Sequence, residues 1–265
     1  MRRYQGFYER PGLTAVLRIF LDTFRAKSSL RQMALLNRSR DYLGARRIPE
    51  LLTLHGNFNR ELVMQQEEWK SYDYGQGWFY QSSRQLGITG LRDTAARVEA
   101  YGLNQLLEGC SVLEVGCNSG FLSLAIANCA KHVSAFDLNP HLVAIALRGQ
   151  EYLQQKNVAF SVAGFEEYKS EKQFDAVISF ANHHTYDQNT KQSVDDYFSR
   201  CHAFTRPGGR LLFESHPPEI DGAQFGYVLA ALERYFLIER SDTHQYGTFL
   251  DRNRIFIIAS RRDES

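Results

Sequence analysis

The chain has 265 residues, a formal net charge of +1 and a hydrophobic fraction of 43%. This length suits one typical α/β domain with about a hundred further residues in front of it. The sequence shows no apolar run of about eighteen residues that would cross a membrane, and no apolar core with a cleavage site that would mark a signal peptide. The four cysteines lack Cys-x-x-Cys spacing, which is typical of reduced thiols, so we expect a cytoplasmic protein.

The N-terminal region is basic. Residues 1–60 contain twelve Lys and Arg against four Asp and Glu, and apolar residues from Leu13 to Phe24 recur at the spacing of an amphipathic helix. We therefore predict a basic helical extension over residues 1–65, whose apolar stripe packs on its own domain or on a second subunit. A membrane surface or another anionic partner, bound weakly through residues 1–60, is the alternative. Sequence-specific binding of nucleic acid is not expected, because no recognised binding module is present.

An aromatic segment, residues 69–82, follows the extension. It contains both tryptophans of the chain and four other aromatic residues, and glycines interrupt it, so a simple helix is not predicted there. The segment either seals one edge of a sheet as a hydrophobic plug or crosses over a ligand site. A helix is predicted to begin near Leu91, ahead of the first strand.

The segment Ser111–Gly120 carries the clearest motif. It is a short apolar run that contains an acid, Glu114, and continues into a turn with two glycines. A helix is predicted from Phe121, and a second apolar run then ends in another acid, Asp137. Glycines let the backbone approach a ligand where a Cβ atom would clash, and the helix dipole points at the same place. The pattern predicts a nucleotide-binding βαβ unit in which Asp137 accepts hydrogen bonds from both ribose hydroxyls.

The spacing of the glycines distinguishes between two classes of ligand. A dinucleotide site requires Gly-x-Gly-x-x-Gly, whereas this chain has Asn118 and Phe121 where the second and third glycines would stand. S-adenosylmethionine (SAM) has no phosphate and tolerates a bulky residue after the turn. The segment therefore resembles motif I of the class I SAM-dependent methyltransferases, with Asn118 at the middle glycine, where Asn can adopt a left-handed conformation. A dinucleotide site and a glycine turn without function are the weaker alternatives.

Further segments resemble later elements of the same family, in order. They are a strand at Ala159–Val162 with the loop Ala163–Glu166, a strand at Phe174–Ser179, the turn Thr205–Gly209 before a strand at Arg210–Glu214, and strands at Arg234–Glu239 and Arg254–Ala259. The resemblance covers roughly residues 105 to 260. It implies an α/β fold with a seven-stranded mixed sheet, in which strand seven is antiparallel, and helices on both faces. We place the methyltransferase domain at residues 66–265, including the aromatic segment, behind the N-terminal helical arm.

The resemblance implies that SAM is the cofactor, and it marks a set of candidate residues. In the family, an acid after strand three holds the adenine amino group; here Gly164 stands at that position and Glu166 follows two residues later, so Phe165 is instead placed to pack on the ring face. In the aromatic segment, Tyr and Gln side chains are candidates to bind the methionine carboxylate. The predicted cofactor-binding residues are Glu114, Gly116, Cys117, Asn118, Gly120, Phe121, Asp137, Leu138, Phe165, Glu166, Phe180, Tyr74, Gln76 and Tyr80.

The acceptor is expected beyond the C-terminal ends of strands four and five, where open α/β sheets bind ligands. His183 and His184 follow strand four, and His216 follows strand five. His184 is the first candidate for a general base, since the pKa of histidine lies near neutral pH; His183 and His216 compete for that role, and a structural role for His184 stays open. Three histidines with Glu214 match no standard metal spacing, so no metal is predicted. Asn-Pro-Pro-Tyr does not follow strand four, which argues against an adenine-N6 DNA methylase.

These features together predict transfer of a methyl group from SAM to an oxygen or nitrogen nucleophile of a small molecule or glycan. Two alternatives stay open. One is a SAM-binding regulatory or scaffolding subunit that has lost catalysis, although the intact Glu114 and Asp137 favour an enzyme. The other is methylation of a macromolecule recruited by the basic arm. The sequence does not decide whether the protein is an oligomer.

Overall fold

A computed structural model describes residues 29–68, 79–183, 191–216, 222–246 and 253–263. The predicted helix of residues 13–24 and most of the aromatic segment lie outside these ranges. The helices are α1 (Ser29–Ala45), α2 (Pro49–Glu68), α3 (Thr94–Ala100), α4 (Leu103–Leu106), α5 (Phe121–Ile126), α6 (Pro140–Leu153), α7 (Val194–Phe204) and α8 (Phe225–Tyr235). The strands are β1 (Ser111–Val115), β2 (His132–Asp137), β3 (Val158–Val162), β4 (Phe174–Phe180), β5 (Thr205–Glu214), β6 (Phe236–His244) and β7 (Arg254–Arg261).

The seven strands form one sheet in the order β3-β2-β1-β4-β5-β7-β6. Strands β1 to β5 pair in parallel, whereas β7 runs antiparallel to both of its neighbours, β5 and β6. This confirms the predicted mixed sheet and the antiparallel seventh strand. The strand order reverses between β1 and β4, and in such sheets ligands bind at the carboxyl edge beside this switch point. No helix in the described part of the chain is long and apolar enough to cross a membrane.

Alternate residues of the central strands supply two separate hydrophobic cores. In β4, Ala176 and Ile178 face the core that includes α2, α5 and α6, whereas Val177 faces the core that includes α7 and α8. Successive side chains of a strand point to opposite faces, and both faces of a parallel sheet are normally covered by helices. The apolar runs predicted from the sequence are therefore strands buried on both sides.

Helix α2 is integrated into the core of the domain. Phe58 is fully buried, and its ring lies 6.0 Å from the ring of Phe121 at the start of α5. The two ring nitrogens of His141, on α6, lie 3.1 Å and 3.0 Å from the carboxylates of Glu61 and Glu68. The predicted division between extension and domain at residue 65 falls inside α2, and the placement of that division stays a prediction.

Strand β5 begins earlier than the sequence predicts. The predicted turn Thr205–Gly209 is the first half of the strand, and the register with β4 is irregular there: Thr205 pairs with Phe174, and Arg210 pairs with Ala176. Gly208 has a φ of +69°, which only glycine adopts without strain. The chain enters the sheet directly from α7, so the Pro-Gly-Gly sequence lies inside β5. There it coincides with the irregular pairing between β4 and β5.

Candidate cofactor and acceptor sites

The turn after β1 requires left-handed backbone at three alternate residues. Gly116, Asn118 and Gly120 have φ values of +64°, +54° and +71°. A Cβ atom on Gly116 would lie 2.8 Å from Oδ1 of Asn182, and one on Gly120 would lie 2.5 Å from Cβ of Ala146. Glycine is therefore required at Gly120, where the clash is with core side chains, and is favoured at Gly116 by its left-handed φ. Asn tolerates the left-handed region better than most residues. This explains how Asn118 replaces the middle glycine of the motif.

The carboxylate of Asp137 holds this turn at the end of β2. It accepts a hydrogen bond from the backbone N–H of Asn118 at 2.8 Å and another from the backbone N–H of Asn139 at 2.9 Å. Asn139 in turn caps α6, since its side chain accepts from the backbone N–H of His141 and Leu142. These bonds fix the direction of the Asp137 carboxylate beside the turn, and its contact with a ribose stays a prediction.

Glu114 lies in β1 beneath the turn and is buried. Its carboxyl group accepts a hydrogen bond from the hydroxyl of Ser123 on α5. Burial, and to a smaller extent the neighbouring Asp137 carboxylate, raises the pKa of Glu114 to about 8, although the hydrogen bond from Ser123 acts in the opposite direction. Glu114 is therefore mostly protonated at neutral pH in this structure, and a positive charge bound nearby would favour its ionised form.

The end of the aromatic segment contacts the first residue of α5. The side-chain Oε1 of Gln81 accepts a hydrogen bond from the backbone N–H of Phe121 at 3.1 Å, and Phe79 is buried with its ring 5.6 Å from the ring of Phe121. The first backbone N–H groups of a helix have no partner inside the helix, so Gln81 satisfies one of them. The sequence analysis named Tyr80 but not Gln81, while Tyr74 and Gln76 lie outside the described residues.

The other predicted cofactor residues lie around this turn or along the loop after β3. Cys117 is fully buried, and burial raises the pKa of its thiol well above the usual value. Leu138 is half-buried, and its Cδ1 lies 3.6 Å from where a Cβ atom on Gly164 would stand. The ring of Phe165 lies 4.5 Å from the ring of Tyr197 in the core. The exposed carboxylate of Glu166 accepts the backbone N–H of Lys191 at 2.9 Å. The predicted contacts of Phe165 and Glu166 with adenine stay predictions.

The end of β4 connects two regions of the predicted site. One is the turn Gly116–Gly120, which we call the cofactor turn, and the other is the edge of the sheet at the ends of β4 and β5, which we call the acceptor edge. The side-chain amide of Asn182 donates to the backbone oxygen of Val115 and lies against Gly116. The preceding residue, Ala181, has a left-handed φ of +58°, and its N–H donates to the backbone oxygen of Glu214 at 2.9 Å. The ends of β1, β4 and β5 are thereby joined at one edge of the sheet.

Two of the three predicted histidines meet at this edge. The rings of His183 and His216 lie 5.0 Å apart, and both side chains are buried. The ring of His183 also lies 5.0 Å from that of Phe213 on β5. The structure thus brings together the loops that follow β4 and β5, as expected from their adjacency. His184 lies outside the described residues, and the chemical role of each histidine stays a prediction.

A network that the sequence analysis missed surrounds Glu214 at the end of β5. Glu214 is fully buried; Arg92 approaches its two oxygens at 2.9 Å and 3.3 Å, and Arg254 approaches Oε1 at 3.0 Å. The hydroxyl of Tyr101 donates to Oε2 at 2.7 Å. We call this set the Glu214 cluster; its members are Arg92, Arg97, Tyr101, Glu214, Tyr246 and Arg254.

The carboxylate of Glu214 is surrounded by arginine and tyrosine side chains. Among the described residues, no group of three or more His, Cys, Asp and Glu is placed to hold a metal ion. Two predicted cofactor residues border the cluster instead. The hydroxyl of Tyr80 lies 3.5 Å from Nη1 of Arg92, and the guanidinium of Arg97 lies 5.4 Å from the ring centre of Phe180. The cluster therefore adjoins the acceptor edge at the ends of β4 and β5.

Comparisons with known proteins agree with this geometry. A family model described as "Methyltransferase domain" matches residues 112–209. The ubiquinone biosynthesis O-methyltransferase of Xylella fastidiosa (strain M23) is 28% identical over 189 residues, which cover 68% of this chain and 70% of that protein. The enzyme of the same name from Coxiella burnetii (strain Dugway 5J108-111) is 26% identical over 144 residues, covering 54% of this chain and 58% of that protein.

Solved structures share the fold. N-methyltransferase NodS from Bradyrhizobium japonicum WM9, in complex with S-adenosylhomocysteine (SAH), superimposes with a TM-score of 0.52 at 15% identity, covering 79% of this chain and 99% of that one. The sheet order and the left-handed turn after β1 define a class I methyltransferase fold. The chain is thus similar to class I SAM-dependent methyltransferases over residues 112–209 and in its fold, which supports an enzyme that uses SAM as its cofactor. The left-handed turn, with the carboxylate of Asp137 fixed beside it, is where the chain would hold this cofactor.

Proposed function

We propose that this enzyme transfers the methyl group of SAM to an oxygen or nitrogen nucleophile of a small molecule. The observation that carries the proposal is the pair His183 and His216, whose rings lie 5.0 Å apart at the same sheet edge as the cofactor turn. An oxygen nucleophile is favoured because the relatives at 28% and 26% identity are named as O-methyltransferases of ubiquinone biosynthesis.

The cofactor side of the site binds and orients. SAM supplies a methyl group on a positively charged sulfur and leaves as neutral SAH. In our proposal, Asp137 accepts the ribose hydroxyls, and the turn from Gly116 to Gly120 holds the methionine end above Glu114. The segment that contains Tyr74, Gln76 and Tyr80 closes over the bound cofactor. Alignment of the nucleophile with the methyl group then provides much of the rate acceleration.

The acceptor side removes a proton. As the acceptor oxygen forms its bond to the methyl carbon, its hydrogen passes to a histidine nitrogen, so the product is a neutral methyl ether and the histidine becomes an imidazolium. A positioned base of this kind contributes about 10²–10⁴-fold in rate. We assign this role to His184. His183 is almost fully buried between Phe213 and His216, so we propose that it supports the loop.

The experiment that tests this proposal uses SAM with an isotopically labelled methyl group. The purified enzyme is incubated with a cell extract that has been separated into small-molecule, protein and nucleic-acid fractions. We expect label only in the small-molecule fraction, in a product whose methyl carbon shows the NMR shift of an O–CH₃ or N–CH₃ group. Label in protein or nucleic acid, or on a carbon atom, would contradict the proposal. Incubation of the labelled SAM with the same fractions without the enzyme is the control for transfer by other components of the extract.

A further inference from the structure

One buried nitrogen of the Glu214 cluster has no acceptor among the residues that the structure describes. Nη2 of Arg97 makes no hydrogen bond to any of them. The Nε of the same side chain donates to the hydroxyl of Tyr246 at 3.0 Å and lies 3.3 Å from Oε2 of Glu214. A buried donor without a partner costs free energy, and more so when the group is charged. The side chain is only 5% exposed, so this cost is not relieved by bulk water.

Glu214 has little capacity left for Arg97. Its Oε1 already receives Arg92 and Arg254, and its Oε2 receives the hydroxyls of Tyr101 and Tyr246 at 2.7 Å and 3.3 Å as well as Arg92 at 3.3 Å. A carboxylate offers about four lone-pair positions. The lone pairs of Glu214 are therefore already occupied by other donors when Arg97 approaches. Arg97 cannot avoid the cost of its unpaired N–H by losing a proton, because a guanidinium stays charged in proteins.

The position of Arg97 places the missing acceptor beside the reaction site. Its guanidinium lies 5.4 Å from the ring centre of Phe180, the last residue of β4. Glu214, the last residue of β5, is its ion-pair partner. These two strands end at the edge where His183 and His216 meet. A group bound at Nη2 of Arg97 would thus belong to a molecule at the acceptor edge.

We propose that Arg97 binds an anionic group of the acceptor, a carboxylate or a phosphate, at a point separate from the nucleophile that is methylated. The proposal rests on the proposed function, because it deepens the same site by naming the charge of its substrate. Arginine suits this role, since its planar guanidinium binds both anions with charge-assisted hydrogen bonds. The substrates are then acidic small molecules, and neutral analogues are bound less well.

The test measures anion binding without methyl transfer. The full-length enzyme, saturated with SAH, is titrated by calorimetry with benzoate, with inorganic phosphate and with benzamide, the uncharged counterpart of benzoate, at constant ionic strength. We expect benzoate or phosphate to bind saturably and at least about tenfold more tightly than benzamide, on the scale of a charge-assisted hydrogen bond. Arg97→Met should weaken binding of that anion by at least the same factor.

The matched control is Arg206→Met. Arg206 also forms an ion pair with one carboxylate, that of Asp175, but at the opposite end of β4, so anion affinity should not change. If Arg97→Met does not bind SAH, Arg97→Lys takes its place, because it keeps the cation but lacks Nη2, and the same weakening is expected. Equal affinity of the wild type for benzoate, phosphate and benzamide would overturn the proposal, as would full anion affinity in the Arg97 variant. Neither result depends on which fraction of an extract is methylated.

Discussion

The cofactor turn and the Glu214 cluster lie at the same edge of the sheet, yet they are built differently. The cofactor turn and the two acids beside it all lie within residues 114–137, in one βαβ unit. The three left-handed residues of the turn alternate along the chain. The cluster joins α3, β5, β7 and Tyr246, so its members are up to 162 positions apart. A site built locally leaves a motif in the sequence, whereas a site built by the fold leaves only scattered charged residues. We expect the first to control cofactor affinity and the second to control stability and the acceptor.

The largest expected effect is on stability, from Glu214→Gln. The substitution leaves the buried guanidinium groups of Arg92, Arg97 and Arg254 without their shared carboxylate. Breaking a buried ion pair by removing one partner costs about 3–5 kcal/mol. Urea unfolding measures the change. Glu239→Gln, in an exposed pair with Arg210, is the control and should cost less than about 1 kcal/mol. An equal loss of unfolding free energy in both variants would mean that the Glu214 cluster contributes no more to stability than an exposed ion pair.

The next largest effect is on turnover, from His184→Ala. Loss of the base should lower the rate by about 10²–10⁴-fold and remove an ionisation near neutral pH from the rate profile, with SAM affinity near normal. His216→Ala is the comparison variant, expected to affect turnover less. Nearly full turnover in the His184 variant would make this residue structural and His216 the next candidate. A collapse of SAM affinity instead would assign His184 to the cofactor pocket.

Asp137→Ala should weaken SAM binding. Its carboxylate holds the turn through the N–H of Asn118, and in our proposal it also binds the ribose. Loss of charge-assisted hydrogen bonds costs about 1.5–3 kcal/mol, which is roughly ten- to a hundredfold in affinity. Calorimetry on the folded variant measures this. Asp175→Ala, at the far end of β4, should leave SAM affinity unchanged; wild-type affinity in the Asp137 variant would remove that residue from the site.

The smallest effect is the pH dependence that Glu114 imposes. The pKa of about 8 in the folded state lies above the ordinary glutamate value of 4.5. Between pH 4.5 and pH 8 the folded state therefore binds a proton that the unfolded state has lost. Stability contributed by this proton is complete below about pH 4.5 and is lost as pH rises towards 8, by about 1.4 kcal/mol per pH unit at most. Unfolding measured at pH 6 and pH 8 should therefore show a fall in the wild type that Glu114→Gln reduces. An identical fall in both proteins would show that Glu114 is ionised in the folded enzyme.

The parts of the structure that depend on residues close together in the chain could be predicted from the sequence. The short apolar runs of the strands, the acid of β1 and the glycines at 116 and 120 are local features of the sequence, so the sheet and the turn could be predicted. The start of β5 could not, because the Pro-Gly-Gly signal does not distinguish a turn from an irregular strand. The Glu214 cluster could not either: Arg92 and Arg97 look like exposed helical charges until the fold places them against a buried carboxylate. The contact of Gln81 could not be predicted either, because its partner is the backbone N–H of Phe121, and a backbone group leaves no signal in the sequence.

The most direct test of the account combines two measurements on the same preparations of wild type, Asp137→Ala and His184→Ala. The first is the dissociation constant of SAM, and the second is the single-turnover rate of methyl transfer at saturating SAM, with the small-molecule fraction as acceptor. We predict that Asp137→Ala loses affinity but keeps much of its rate, while His184→Ala loses rate but keeps its affinity. If both variants lost affinity and rate together, the cofactor turn and the acceptor edge would not be the separate functional regions described here.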